Sequence, residues 1–140
     1  MPVAAVRWLY VAGVTMWLAS LVLPAVEINE TTRLAGYQVF AIGIDALRAG
    51  IPGWLANPLS LGAVIAGLFG RFRLATALAG SAALLGFSSL SAPASARADG
   101  LPLQTVVFET GFFLWLAAFS VILATSAWAW QRARRTPERA

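Results

Sequence analysis

The sequence contains no cysteine, no histidine and no lysine. Without cysteine there is no disulfide framework, no thiolate nucleophile and no thiol redox chemistry. Without histidine the chain has no imidazole to offer zinc, haem iron or chlorophyll magnesium. Charge is also scarce: 11% of the 140 residues are charged, against 59% hydrophobic. A soluble domain usually carries about 25% charged residues. A chain with so few cannot cover a water-facing surface of this size.

What is present is apolar, and it comes in long runs. Mean hydropathy is +0.75. Runs of about twenty residues match a hydrocarbon core about 30 Å thick at 1.5 Å per residue. All ten basic residues are Arg, and Ala is abundant, a pattern expected of GC-rich bacterial coding. The pI near 11.1 would suit nucleic acid. The arginines cluster at the ends of apolar runs, however, where membrane topology places them. No nucleic-acid partner is expected; the expected partner is the lipid bilayer.

Four spans are predicted, over residues 6–26, 54–70, 74–91 and 105–130. Arg7 and the run after it fit the start of a signal peptide, but no small-x-small cleavage site follows. The segment is expected to stay as the first membrane helix, its last turn loosened by Pro24. Between spans one and two, Tyr37, Phe40, Ile44 and Leu47 share one helical face over 34–48. Gln38, Asp45 and Arg48 lie opposite. An amphipathic helix in the membrane interface is expected; a structured loop packed on the other helices is the alternative. The fold class is therefore all-α: an integral membrane four-helix bundle with an extra amphipathic helix. The single domain covers 1–140.

Topology follows from arginine placement. Arg7, Arg71, Arg73, Arg132, Arg134, Arg135 and Arg139 fall on the side of the termini and the 71–73 turn. Arg33, Arg48 and Arg97 fall on the other. Seven against three places both termini, and a tail over 131–140, in the cytoplasm of a bacterial inner membrane. Trp8, Trp128 and Trp130 suit an inner aromatic belt; Trp54 and Tyr37 suit an outer one.

Chemistry is thin. Glu109, in the opening turns of the fourth span, fits either a proton or cation site at the mouth of the bundle or a helix-start acid stabilised by the dipole. Asp45 and Arg48 form a surface pair of little energetic weight. No charge falls near the middle of a predicted span, which argues against coupled transport. No phosphate-binding loop, dinucleotide fingerprint or zinc motif is present. Catalytic residues, metal ligands and cofactors are not expected.

The remaining candidates are packing or pocket residues. Asn57 either caps the second span, with Pro58 as first helical residue, or precedes a kink at Pro58. Ala75, Ala79, Ala83 and Gly86 make a small-residue stripe on span three, as Ala66 and Gly70 do on span two. Trp17 and Trp115 lie several turns inside their spans. They line a pocket for a pigment, quinone or lipid tail, or form a face against a partner protein, or serve helix packing or lipid contact within the monomer.

Several segments carry a likeness across most of the chain: Leu23-Pro24-Ala25, Gly36-Tyr37-Gln38, Trp54-Leu55-Ala56-Asn57-Pro58, Gly70-Arg71-Phe72-Arg73-Leu74 and Gly111-Phe112-Phe113-Leu114-Trp115-Leu116-Ala117. With these the chain resembles a widespread, largely uncharacterised set of small bacterial four-helix inner-membrane proteins. The resemblance implies a fold and a compartment and assigns no functional residue. The function expected from the residues is a non-catalytic accessory or assembly subunit of a larger membrane complex. A small channel or carrier for a small molecule or lipid, and an immunity-type protein, are the alternatives.

Overall fold

The computed structural model describes residues 3–48, 52–91 and 106–135. The fold is mostly helical: α1 (Val3–Val22), α2 (Gly36–Arg48), α3 (Ala56–Leu68), α4 (Phe72–Ser88) and α5 (Thr110–Arg135). Short 3-10 turns at Pro52–Leu55 and Ser89–Ser91 extend α3 and α4. Three described helices are long and apolar enough to cross a membrane: Ala4–Val22, Phe72–Ser91 and Thr110–Arg135. α3 alone has 13 residues, a rise of about 20 Å. That falls short of the hydrocarbon core.

A small sheet accompanies the helices, which the apolar pattern did not announce. β1 (Pro24–Ile28) pairs antiparallel with β2 (Thr32–Ala35) on one side and β3 (Val106–Phe108) on the other. The predicted first span to Val26 therefore stops at Val22, and the predicted start of the fourth near Thr105 moves to Thr110. Pro24 opens a strand, a position where its missing N–H is harmless. Asn29 and Glu30 turn the hairpin with φ of 52° and 59°, and the Thr31 N–H donates to the Ile28 carbonyl at 3.2 Å.

α5 is the central helix, packed along α1 on one flank and α4 on the other; α4 packs in turn on α3. The α4 stripe explains the close approach. Ala75, Ala79, Ala83 and Gly86 are all buried, with Ala82 beside them. A Cβ on Gly86 would sit 2.9 Å from the Phe119 ring. Gly70 has a different job from the packing role expected of it. At φ +75° it ends α3, where the Arg71 N–H reaches the Ala66 carbonyl and its own N–H reaches that of Gly67.

α1 and α3 form no comparable seam. They meet where Tyr10, 1% exposed, lies over Gly67, and Tyr10 bonds the Ser126 hydroxyl at 2.9 Å. Nearer the sheet they part, leaving a crevice lined by Val14, Trp17, Pro58 and Leu61.

The two ends of the bundle differ. One holds the start of α1, the α3–α4 turn and the end of α5, with Arg7, Arg71, Arg73, Arg132, Arg134 and Arg135. The other holds the sheet and α2. The start of the predicted tail is helical, since α5 runs to Arg135; Arg132 lies 4.7 Å from the Trp128 ring and Arg134 5.4 Å from Trp130. The predicted loop over 92–100 and the tail residues 136–140 lie outside the described residues.

α2 is a helix and it packs on the bundle, so both readings of 34–48 hold in part. Its packed face is rotated from the one expected. Tyr37 is 58% exposed. Contact is made by Gly36, Val39, Phe40 and Gly43. Glycines let α2 lie against α1 and Trp54, and a scan for apolar residues does not weigh them. Asp45 and Arg48 pair at 3.0 Å on the exposed face.

Candidate functional site

The site forms beneath α2, at the sheet end of the bundle. Its centre is Asn57, second residue of α3 and 7% exposed. The 3-10 turn before α3 settles the two readings of this position. Asn57 is not an N-cap, and Pro58 sits in the first helical turn, where no N–H is needed. The Asn57 side chain is free to point inward.

There its Oδ1 accepts two indole N–H bonds, from Trp17 on α1 at 2.9 Å and Trp115 on α5 at 2.8 Å. Its Nδ2 donates to the Trp54 carbonyl at 3.0 Å. One amide thus ties three helices. The arrangement also fixes which end of the amide is which, because indole N–H groups only donate. In an apolar surrounding each indole N–H left unpaired would cost free energy, so the two tryptophans and the asparagine require one another.

Two cavities of about 210 Å³ each flank this node. The first lies under α2 and the sheet, walled by Val39, Phe40, Trp54, Phe108, Phe112 and Trp115. The second is the α1–α3 crevice, walled by Val14, Trp17, Pro58, Leu61, Val64 and Ile122. They share Phe40, Trp54 and Asn57. Aromatic contacts stiffen the walls. Phe40 stands edge-on to Trp17 at 6.2 Å and tilted against Trp54 at 5.7 Å; Phe108 stacks on Phe112 at 4.0 Å.

The polar groups in these walls are few and mostly committed. The Ser20, Ser60 and Ser89 hydroxyls donate to the carbonyls of Trp17, Asn57 and Leu85. No lining residue is ionisable at physiological pH. The walls therefore supply no general base, no activated nucleophile and no charged ligand set. What they supply is a space for something apolar. Apolar cavities of about 150 Å³ stay dry and take up an aromatic guest.

The predicted site residues divide into three groups. Trp17, Asn57 and Trp115 come together, with Pro58 in the adjoining wall. Ala79, Ala83 and Gly86 are buried on α4 and act in packing. Glu109 lies elsewhere, at the N-terminus of α5, where its carbonyl receives the Phe112 N–H at 3.0 Å. Phe40, Phe108 and Phe112 were not singled out for the site, and Trp54 was expected in a lipid-facing belt. It is instead half-buried, its Nε1 donating to the Phe40 carbonyl at 3.0 Å.

Glu109 belongs to a second cluster on the sheet. The Arg33 Nε lies 2.9 Å from Glu27 and 3.2 Å from Glu109. Arg33 stands directly across from Glu27 in the β1–β2 ladder, so one guanidinium clasps the hairpin to the start of α5. Hydrogen bonding shared with Glu109, then the bond and charge of Arg33, hold the Glu27 carboxyl below its ordinary value of 4.5. A lowered carboxyl contributes stability that is complete above the ordinary value and lost as pH falls through the folded one. The contribution of Glu27 to the unfolding midpoint should therefore be complete from neutral pH down to about 4.5 and fade below it. Arg33→Gln, which removes the Arg33 bond and charge and leaves Glu109, should make that acid limb shallower in a pH series of thermal melts.

No family model, no curated protein and no solved structure matches this chain, so the reading of its site rests on the geometry alone.

Proposed function

We propose that this chain is a non-catalytic membrane protein that binds one apolar guest, held between α1, α2 and α3 at the sheet end. The observation that carries the reading is the pair of apolar cavities meeting at Asn57. Both are half-open and walled by apolar side chains, so an apolar occupant is favoured there over water.

The proposed setting is a bacterial inner membrane crossed four times. α3 with its preceding 3-10 turn covers 17 residues, Pro52 to Leu68, and rises about 28 Å. That supports α3 as a further span beside the three longer helices. The arginine-rich end is the cytoplasmic one, with both termini, and the sheet and α2 face outward.

Native mass spectrometry of the full chain, released from mild detergent, tests the binding role. One apolar adduct per chain is expected, and Val39→Phe, which fills the first cavity, should lose it. A second reading is supported by the open α1–α3 crevice. As an accessory subunit, the chain would seat a partner's membrane helix there. A bare chain in the mass spectrum, with α1 and α3 cross-linked to another protein in native membranes, would favour that reading.

A further inference from the structure

Resting on the binding role proposed above, the geometry points to a particular class of guest: a flat, carbonyl-bearing ring with an aliphatic tail, the chemistry of a prenylated quinone. The ring would occupy the first cavity and the tail the second.

The two cavities differ in the walls they offer. Phe40, Trp54, Phe108, Phe112 and Trp115 surround the first, and aromatic faces and edges pair best with another ring. At about 210 Å³ it exceeds the space that takes benzene by roughly the volume of a few substituents. The second cavity shares Phe40 and Trp54 with the first and adds Trp17, but its remaining apolar wall is aliphatic: Val14, Pro58, Leu61, Val64 and Ile122. It lies where α1 and α3 part, so a chain seated there can continue into surrounding lipid.

Asn57 sets the polar requirement where the cavities meet. Its Oδ1 is occupied by two indole N–H groups, and one Nδ2 hydrogen goes to the Trp54 carbonyl. The other Nδ2 hydrogen has no acceptor among the described residues. A guest that bonds to Asn57 would bring an acceptor and not a donor. A carboxylate is disfavoured, because no cation lines either cavity and a buried unpaired charge is costly. A ring carbonyl meets all three conditions. The proposal concerns binding alone and includes no redox step.

Three probes separate the conditions: decyl-1,4-benzoquinone has ring and acceptor, decylbenzene a ring only, and decyl acetate an acceptor only. Each is titrated into the full chain in lipid nanodiscs, and the rise in unfolding midpoint with concentration gives the half-saturating level. The quinone should half-saturate at about tenfold lower concentration than either other probe, the factor one good hydrogen bond supplies. Leu68→Phe, on an exposed face outside both cavities, should keep that order, and Val39→Phe should abolish it. Equal binding of quinone and decylbenzene would overturn the carbonyl contact. Decyl acetate matching or exceeding the quinone would overturn the ring, while leaving the apolar-guest role standing. No saturable response to any probe would remove both. The comparison among probes on the unaltered chain decides the matter even if Val39→Phe fails to fold.

Discussion

Replacing Asn57 by Leu should destabilise the bundle by about 2–4 kcal/mol, far more than its side-chain volume suggests. The change strands the indole N–H groups of Trp17 and Trp115 in an apolar surrounding, and each unpaired donor costs about 1–3 kcal/mol. Interhelical hydrogen bonds in membranes are often weaker, near 0.6 kcal/mol, because the unfolded chain in lipid finds substitutes. Two observations place this case above that mean. A single oxygen serves both donors, and Asn57 as a residue is 7% exposed in the folded state. The test is a double-mutant cycle by reversible unfolding in detergent. Against a background of Trp17→Phe and Trp115→Phe, Asn57→Leu should cost less than about 1 kcal/mol, since no donor remains to be stranded. Equal costs in both backgrounds would show that the three side chains are not coupled.

Gly36→Ala should be the most damaging of the small changes, at about 3 kcal/mol, the upper end of overpacking effects. Gly36 opens α2 against the last turn of α1. A Cβ there would press into the Ser20 carbonyl oxygen and come 2.9 Å from the Leu21 Cα. Both are backbone, so no rotamer change relieves the clash. The Gly36 N–H also donates to the Leu23 carbonyl at 3.0 Å, which fixes the approach. With α2 displaced, Val39 and Phe40 leave the cavity wall and guest retention should fall with stability. Gly80→Ala is the contrast. Its nearest neighbour would be Leu123 Cδ1 at 3.9 Å, so the change should stay within about 0.5 kcal/mol. Matched thermal melts of the two variants check both expectations.

How much of this was legible depended on whether the signal was local. The small-residue stripe on α4 was readable because helical spacing places Ala75, Ala79, Ala83 and Gly86 on one face. Trp17, Asn57 and Trp115 stood out one at a time, as residues that belts and caps did not account for. Their mutual bonding was not readable, since 40 residues separate the first pair and 58 the second. The strands were hidden for another reason. Val106–Phe108 and Pro24–Ile28 have three and five residues, too few for alternation to show beside long apolar runs. A signal was available in the β-branched Val106-Val107 and Thr31-Thr32 pairs and in the proline at the start of β1. Trp54 was misplaced because an aromatic residue at a span's edge usually serves as an anchor. Here Gly43 lets α2 close over it: a Cβ at that position would collide with the indole.

Photo-cross-linking tests the binding role most directly. The full chain is placed in nanodiscs with a lipid whose tail carries a diazirine, illuminated, digested and mapped by peptide mass. Labelling should concentrate on Val14, Pro58, Leu61 and Val39, the residues lining the two cavities, and Val39→Phe should reduce it at that site. Labelling spread evenly over exposed apolar residues such as Leu18, Leu84 and Phe113, with none above that level in the crevice, would contradict an apolar guest at Asn57.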